Sequence, residues 1–258
     1  MRIANVAWVV SGTLFTTLFC SGLTAVQKTN TEKGGAVRAE QLVRQQASAV
    51  QTMREFIVSH RVDVMSVTSK YNETTHAYLT TWVKRPDLLR VRSQMMGQSQ
   101  TIVADGHGMW IYRDADRVYW HQPGPTPTGL MENAFPGLGR ELSDGNLPKV
   151  MTSASIVGEE SLEIGQSKFP CTIVDVTVTP KAANGALENN QLRLWISKDY
   201  QVPLKVQATF TAAGSTRRDY TDLATRFEPG AKISESTWTF TPPEGSKLRQ
   251  STPAAKTK

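Results

Sequence analysis

A mainly β protein with one long helix, an α+β chain dominated by an antiparallel sheet, is predicted by three observations. First, residues 82–121 hold four short apolar runs. Arg85-Pro86-Asp87, Gly97-Gln98-Ser99, Asp105-Gly106-His107-Gly108 and Arg113-Asp114-Ala115-Asp116 punctuate them. Runs rich in Val, Ile, Tyr and Trp, broken by Gly, Pro and Asp, read as an antiparallel meander. Second, only residues from Ala36 to about Ser59 repeat their apolar side chains at helical spacing. Third, Met109 to Tyr112 and Val118 to Trp120 are apolar on both faces, whereas Val202 to Phe210 alternates strictly with Pro203, Lys205, Gln207 and Thr209. A sheet dry on both faces at its middle and wet on one face elsewhere is strongly curved and wrapped around something.

In chain order, residues 1–25 read as a secretory signal. Arg2 supplies a minimal basic region, Val6 to Phe19 an apolar stretch, and Ser21, Gly22, Thr24 and Ala25 small residues for cleavage after Gly22 or Ala25. The apolar stretch is too short for a stable span. Lipid attachment at Cys20 is the rival, and the bulky Phe19 immediately before it fits that signal badly. Residues 26–35 are a polar linker. Ala39, Leu42, Val43, Gln46, Ala47, Val50, Met53 and Ile57 then recur at steps of three and four, predicting an amphipathic helix of about 20 residues.

Everything after the helix is strand-like. The expected strands are Val62 to Val67, Tyr78 to Val83, the meander, Ser155 to Gly158, Cys171 to Val178, Leu192 to Ile196, Val202 to Phe210, Arg217 to Phe227 and Thr237 to Phe240. The rhythm breaks at 122–152. Pro123, Pro125 and Pro127 lead into Leu130, Met131, Ala134, Phe135, Leu138 and Leu142. One or two short helical segments with that many apolar side chains read as a cover for the core or as a movable lid over a hydrophobic cavity.

Charge and motif content narrow the function. Arg2, Lys28, Lys33, Lys247, Arg249, Lys256 and Lys258 lie outside residues 36–246, as does Glu32, so 22 of the 29 basic and 22 of the 23 acidic side chains remain inside. A body with no net charge lacks the basic stripe that nucleic-acid binding requires, and the basic tail 247–258 reads as solvated. His60, His76, His107 and His121 show no metal-ligand spacing, and no nucleophile elbow or phosphate loop occurs. Asp105-Gly106 and Asp114/Asp116 are turn chemistry. Cys171, opening an apolar run, reads as a small buried hydrophobe with no internal disulfide partner once Cys20 leaves with the signal. No catalysis, cofactor or metal is expected.

Four motifs in order resemble the LolA-like family of periplasmic outer-membrane lipoprotein carriers. They are Lys84-Arg85-Pro86 with Arg90; Ile102-Val-Ala-Asp-Gly-His-Gly-Met-Trp-Ile-Tyr112; Leu194-Trp-Ile-Ser-Lys-Asp-Tyr-Gln-Val-Pro-Leu-Lys205; and Phe240-Thr-Pro-Pro-Glu-Gly245. The likeness covers most of 36–248. It implies an unclosed antiparallel β-barrel of about eleven strands, wrapped around the N-terminal helix under a short helical lid, with an apolar cavity between them in a domain spanning 36–246. It also implies a monomeric carrier that shields the acyl chains of a lipoprotein or lipid between an inner-membrane donor and an outer-membrane acceptor. Relatives of the same fold act as envelope-stress sensors that bind a protein partner, and a structural factor with a merely filled core is a third class. The Pro-rich centre and the short basic end after Gly245 depart from the family pattern.

Burying one acyl chain of about sixteen carbons is worth on the order of 12 kcal/mol at about 0.8 kcal/mol per methylene, which only an enclosed apolar pocket supplies. Candidate lining residues are Leu42, Val50, Met53 and Ile57 on the helix; Trp82, Leu89, Val91, Met95, Trp110, Tyr112 and Trp120 on the strands; and Leu130, Met131, Phe135 and Leu138 on the lid. Arg90 and Arg92, on one face of a strand, are candidates for gripping a lipid phosphate or carboxylate.

Overall fold

A computed structural model describes residues 21–67, 72–126, 134–138, 146–180, 187–212 and 216–249, with the backbone alone for 21–34, 212 and 216. The expected leader up to Cys20, Leu130, Met131 and most of the lid, and the tail beyond Arg249 lie outside these residues.

One long helix, α1 (Ser21–Thr52), precedes β1 (Glu55–Val67), β2 (Asn72–Lys84), β3 (Leu88–Met95), β4 (Gln98–Asp105), β5 (Gly108–Arg113) and β6 (Val118–Pro123). After a one-turn helix α2 (Leu147–Val150) come β7 (Met151–Ile164), β8 (Ser167–Val178), β9 (Leu187–Ser197), β10 (Pro203–Ala212), β11 (Thr216–Pro229) and the two-residue β12 (Lys247–Leu248). They form one twelve-stranded sheet in the order β12-β6-β5-β4-β3-β2-β1-β11-β10-β9-β8-β7. All neighbours are antiparallel except β12, which runs parallel to β6. The sheet has two ends and does not close, so the expected unclosed barrel is what the chain builds. The first strand lies between β2 and the late strand β11, so the two halves of the chain are joined at the centre of the sheet.

Three expectations need correction. The helix does not continue to Ser59: it stops at Thr52, and Ile57 belongs to β1, paired with Trp82 and Glu228. Helical spacing at Met53 and Ile57 is coincidental; the β-branched pair Ile57-Val58 is held by strands on both sides. At its other end the helix runs through residues 26–35, read from composition as a linker. Thr237 to Phe240 is not a strand, because Glu235–Trp238 form a 3₁₀ turn.

The helix is set on one face of the sheet by two core clusters. Ala39 and Val43 of α1 join Val174, Val176, Leu192, Leu194 and Val206, all buried. Val50 joins Phe56, Val58, Val83, Leu89, Ala104 and Phe227. The Lys84-Arg85-Pro86 motif fixes the junction. Arg85 donates through Nε to the Met53 carbonyl (3.0 Å) and through Nη2 to the Val50 carbonyl (2.8 Å), while its backbone N–H reaches the Arg54 carbonyl (2.8 Å). These carbonyls belong to the helix end and the two residues beyond it, where oxygens lack intrahelical partners and a cation is favoured.

The opposite face of β3–β6 is covered by the C-terminal segment. Phe240 stacks on Trp110 (centroids 5.4 Å apart) and meets Tyr119 (5.6 Å), while Arg90 donates to the Thr237 carbonyl (3.1 Å). Beyond it, Lys247 and Leu248 pair with the edge strand β6, closing part of an otherwise open edge.

Candidate functional site

Strand register sorts every side chain of β1–β6 onto one of two faces, because opposed residues share a side and neighbours along a strand alternate. The face bearing α1, here the inner face, carries three successive rows. The lowest runs Val83–Leu89–Ala104–Met109 and is core: Val83, Leu89 and Ala104 are fully buried. The next runs Val91–Ile102–Ile111–Trp120 across four strands. All four of these side chains are only half-buried. The row above, Leu79–Ser93–Gln100–Arg113, turns polar. Val62, Val64 and Leu79 of β1 and β2 extend the half-buried apolar surface sideways.

The row of four spans three interstrand steps, roughly 14 Å. Contiguous apolar surface that the fold leaves uncovered is where ligands and partners bind. At its upper margin Ser93, Met95, Gln98, Gln100, Arg113 and Trp120 surround a hollow of about 230 Å³. Arg113 is held there by Asp116, whose carboxylate accepts from Nε at 2.9 Å. That pairing raises the Arg113 pKa and lowers that of Asp116. The surface is therefore graded: filled core at the bottom, open apolar row in the middle, and a polar margin with the Arg113–Asp116 ion pair at the top.

The sequence-based candidates distribute unevenly over this geometry. Val91, Met95 and Trp120 lie on the inner face, with Met95 exposed at the β3–β4 turn. Leu89 and Val50 are on the same side but fully buried as core; Met53 packs against their cluster and Leu42 against the other. Ile57, Trp82, Trp110 and Tyr112 face the other way with Arg90 and Arg92. Arg90 is spent on the Thr237 carbonyl, and desolvation by the covering segment lowers its pKa. Of the lid, Phe135 is buried in the core and Leu138 packs beside the helix cluster.

Much of this surface escaped the sequence reading: Ile102 and Ile111 in the row, Ser93, Gln98, Gln100 and Arg113 at its margin, and Val62, Val64 and Leu79 beside it. Their signal was present as period-two alternation, but the face could be assigned only once the register was known. The Asp105-Gly106 motif proves structural. Asp105 Oδ1 accepts the backbone N–H groups of His107 and Gly108, both at 2.9 Å. Burial pushes the Asp105 pKa up, but these hydrogen bonds outweigh it and hold the carboxyl below its usual range. Gly106 sits at φ +85°, and a Cβ there would come within 2.7 Å of Asp87 Oδ2. Among the described residues no group of three or more His, Cys, Asp or Glu is placed to hold a metal ion.

An open antiparallel sheet with a helix across one face is the fold that the LolA-like resemblance implied. Residues 39–132, the second half of α1 together with β1–β6, match the family described as "Predicted periplasmic protein (DUF2092)". Similar solved structures share little sequence. A putative outer membrane lipoprotein-sorting protein domain from Vibrio parahaemolyticus is 10% identical, covering 78% of this chain and 96% of its own, with a TM-score of 0.33. LprF from Mycobacterium bovis is 13% identical, covering 78% and 97%, with a TM-score of 0.42. The Pseudomonas aeruginosa MucA/MucB complex holds a chain 14% identical, with a TM-score of 0.42. The match covers 79% of this chain and 61% of that one. No curated protein matches the sequence.

Proposed function

We propose that the protein is a periplasmic, non-enzymatic carrier that shields an acyl chain of a lipoprotein or lipid on its inner face. The observation that carries this reading is the half-buried row Val91–Ile102–Ile111–Trp120 below a polar margin. An amphiphile laid on that surface would place its methylenes on the apolar row and its head against Ser93, Gln100 and Arg113. Transfer would then need no covalent step, only exchange between this surface and the apolar sites of a donor and an acceptor. Under this reading Arg113 takes the headgroup role first assigned to Arg90 and Arg92, which face away.

Titration with a fluorescent fatty acid such as cis-parinaric acid tests it. Wild-type protein should bind saturably, and Ile111→Asp should weaken binding at least about tenfold, because a carboxylate would be buried against the chain. Trp120→Ser serves as a second variant should Ile111→Asp fail to fold. Arg92→Ala, exposed on the opposite face, should bind as wild type. Equal binding by all variants would rule the surface out, and no binding by wild type would rule out the carrier.

A further inference from the structure

The β3–β4 turn breaks a local rule. Met95 pairs with Gln98, so the turn is the two-residue loop Met96-Gly97, with φ +50° and +74°. Positive φ at both positions defines the type I′ hairpin, for which Asn-Gly and Gly-Gly are the ordinary choices. A methionine at the first position carries a steric strain that Asn or Gly largely avoids. Core packing does not account for it: Met96 is 77% exposed and Met95 beside it 55%.

The turn faces a hollow of about 390 Å³. Met95 is the last residue of β3 and lies opposite Ala77, whereas β2 begins at Asn72, so β2 runs on beyond its neighbour. Met95, Met96 and Gly97 line the hollow from one side and Glu73 to His76 from the other. His76 is the oriented donor among them. Its Nδ1 lies 2.6 Å from Asp63 Oδ1, and Asp63 Oδ2 accepts from Arg61 Nε at 3.0 Å. With Nδ1–H given to the carboxylate, the neutral ring presents the lone pair of Nε2, which has no partner among the described residues. A carboxylate behind an imidazole is the arrangement that fixes the tautomer and direction of a metal-ligating histidine.

We propose that His76 Nε2 and the sulfurs of Met95 and Met96 bind one cuprous ion in this hollow. Two thioethers and one imidazole are a soft donor set that suits Cu(I), whereas Zn²⁺ sites are built from thiolates, several imidazoles or carboxylates. Glu73 is the one carboxylate that lines the hollow. A thioether also suits the periplasm, where free thiols are drawn into disulfides and methionine cannot be. The strained turn residue then has a reason to be methionine, because the turn places its sulfur opposite His76. No spacing of His and Cys announces such a site, since its donors lie on different strands and two of them are thioethers. Met95 also borders the hollow above the apolar row, so the two sites adjoin, but the metal site does not rest on the carrier reading.

Anaerobic titration of the purified protein against the bis-bicinchoninate complex of Cu(I), with ascorbate as reductant, tests it. Wild type should withdraw one equivalent of copper, and excess Zn²⁺ should not prevent this. Met96→Asn supplies the residue that the turn favours and removes the sulfur. It should unfold at a denaturant concentration no lower than wild type, yet bind Cu(I) at least about tenfold more weakly. His76→Ala should lose at least as much. Asp63→Asn keeps every donor and loosens only the orientation of the ring, and should weaken binding roughly tenfold. His107→Ala and Met151→Leu, which remove a histidine and a methionine elsewhere, should bind as wild type. X-ray absorption at the copper edge should show sulfur neighbours in wild type and fewer in Met96→Asn. Failure of wild type to withdraw copper, or undiminished affinity in Met96→Asn or His76→Ala, overturns the site. Undiminished affinity in Asp63→Asn overturns the positioning role of the carboxylate, and blockade by Zn²⁺ overturns the choice of metal.

Discussion

Cys171 shows how far a single residue could be understood before the fold was known. Its place at the head of an apolar run suggested a small buried hydrophobe, and it is fully buried, with Sγ donating to the Phe169 carbonyl at 3.3 Å. Burial pushes its pKa up to about 11, so the thiol stays neutral at ordinary pH. A neutral, enclosed thiol is a poor nucleophile. Native protein at pH 8 should therefore react negligibly with an aromatic disulfide reagent, and denatured protein at once; rapid native labelling would show that this part of the core opens. The arginines were less legible. Arg90 and Arg92 share a face with each other, as their spacing required, but nothing local reveals which side of the sheet that face is. His60 and Asp222, buried and hydrogen-bonded to each other at 2.7 Å, were illegible for a different reason. A hydrogen bond between residues 162 positions apart leaves no pattern in a sequence that a spacing rule can find.

Among elements, the most legible were those whose signal is local. The β3–β4, β4–β5 and β5–β6 turns fall where Gly97, Gly106 and the Asp114–Asp116 stretch announced them. Register between successive strands followed from those turns. The end of α1 was not local: helical spacing persists to Ile57, yet pairing of β1 with both β2 and β11 wins over it. Arg85 marks where that contest is settled. Arg85→Ala should lower stability by about 2 kcal/mol, the loss of charge-assisted hydrogen bonds to the end of the helix, and Arg85→Lys should restore only part of it. Denaturant unfolding checks this; a midpoint unchanged in Arg85→Ala would mean that core packing alone fixes the helix end. The C-terminal segment was misread as a strand because Trp238 and Phe240 look strand-like. They are instead anchors, with Trp238 buried and Phe240 stacked on Trp110.

For the whole molecule, sequence order and structural order agree: a helix, a six-strand meander, a crossing segment and a second meander whose last long strand returns to pair with the first. The balanced charge of residues 36–246 suits the proposed contact with a ligand through apolar surface. What distinguishes a lipid site from a filled core is coverage rather than composition. Leu89 and Val91 are both apolar and both on the inner face; one is sealed and the other half-open. That distinction is one of position in the fold, and no property of either residue encodes it. The central claim, that the half-open row holds acyl chains, is tested most directly by lipid mass spectrometry on organic extracts of the purified mature protein. Wild type should yield acylated species in near-stoichiometric amount, and Ile111→Asp, prepared in parallel, should yield little. Extracts of folded wild-type protein free of acyl species would contradict it.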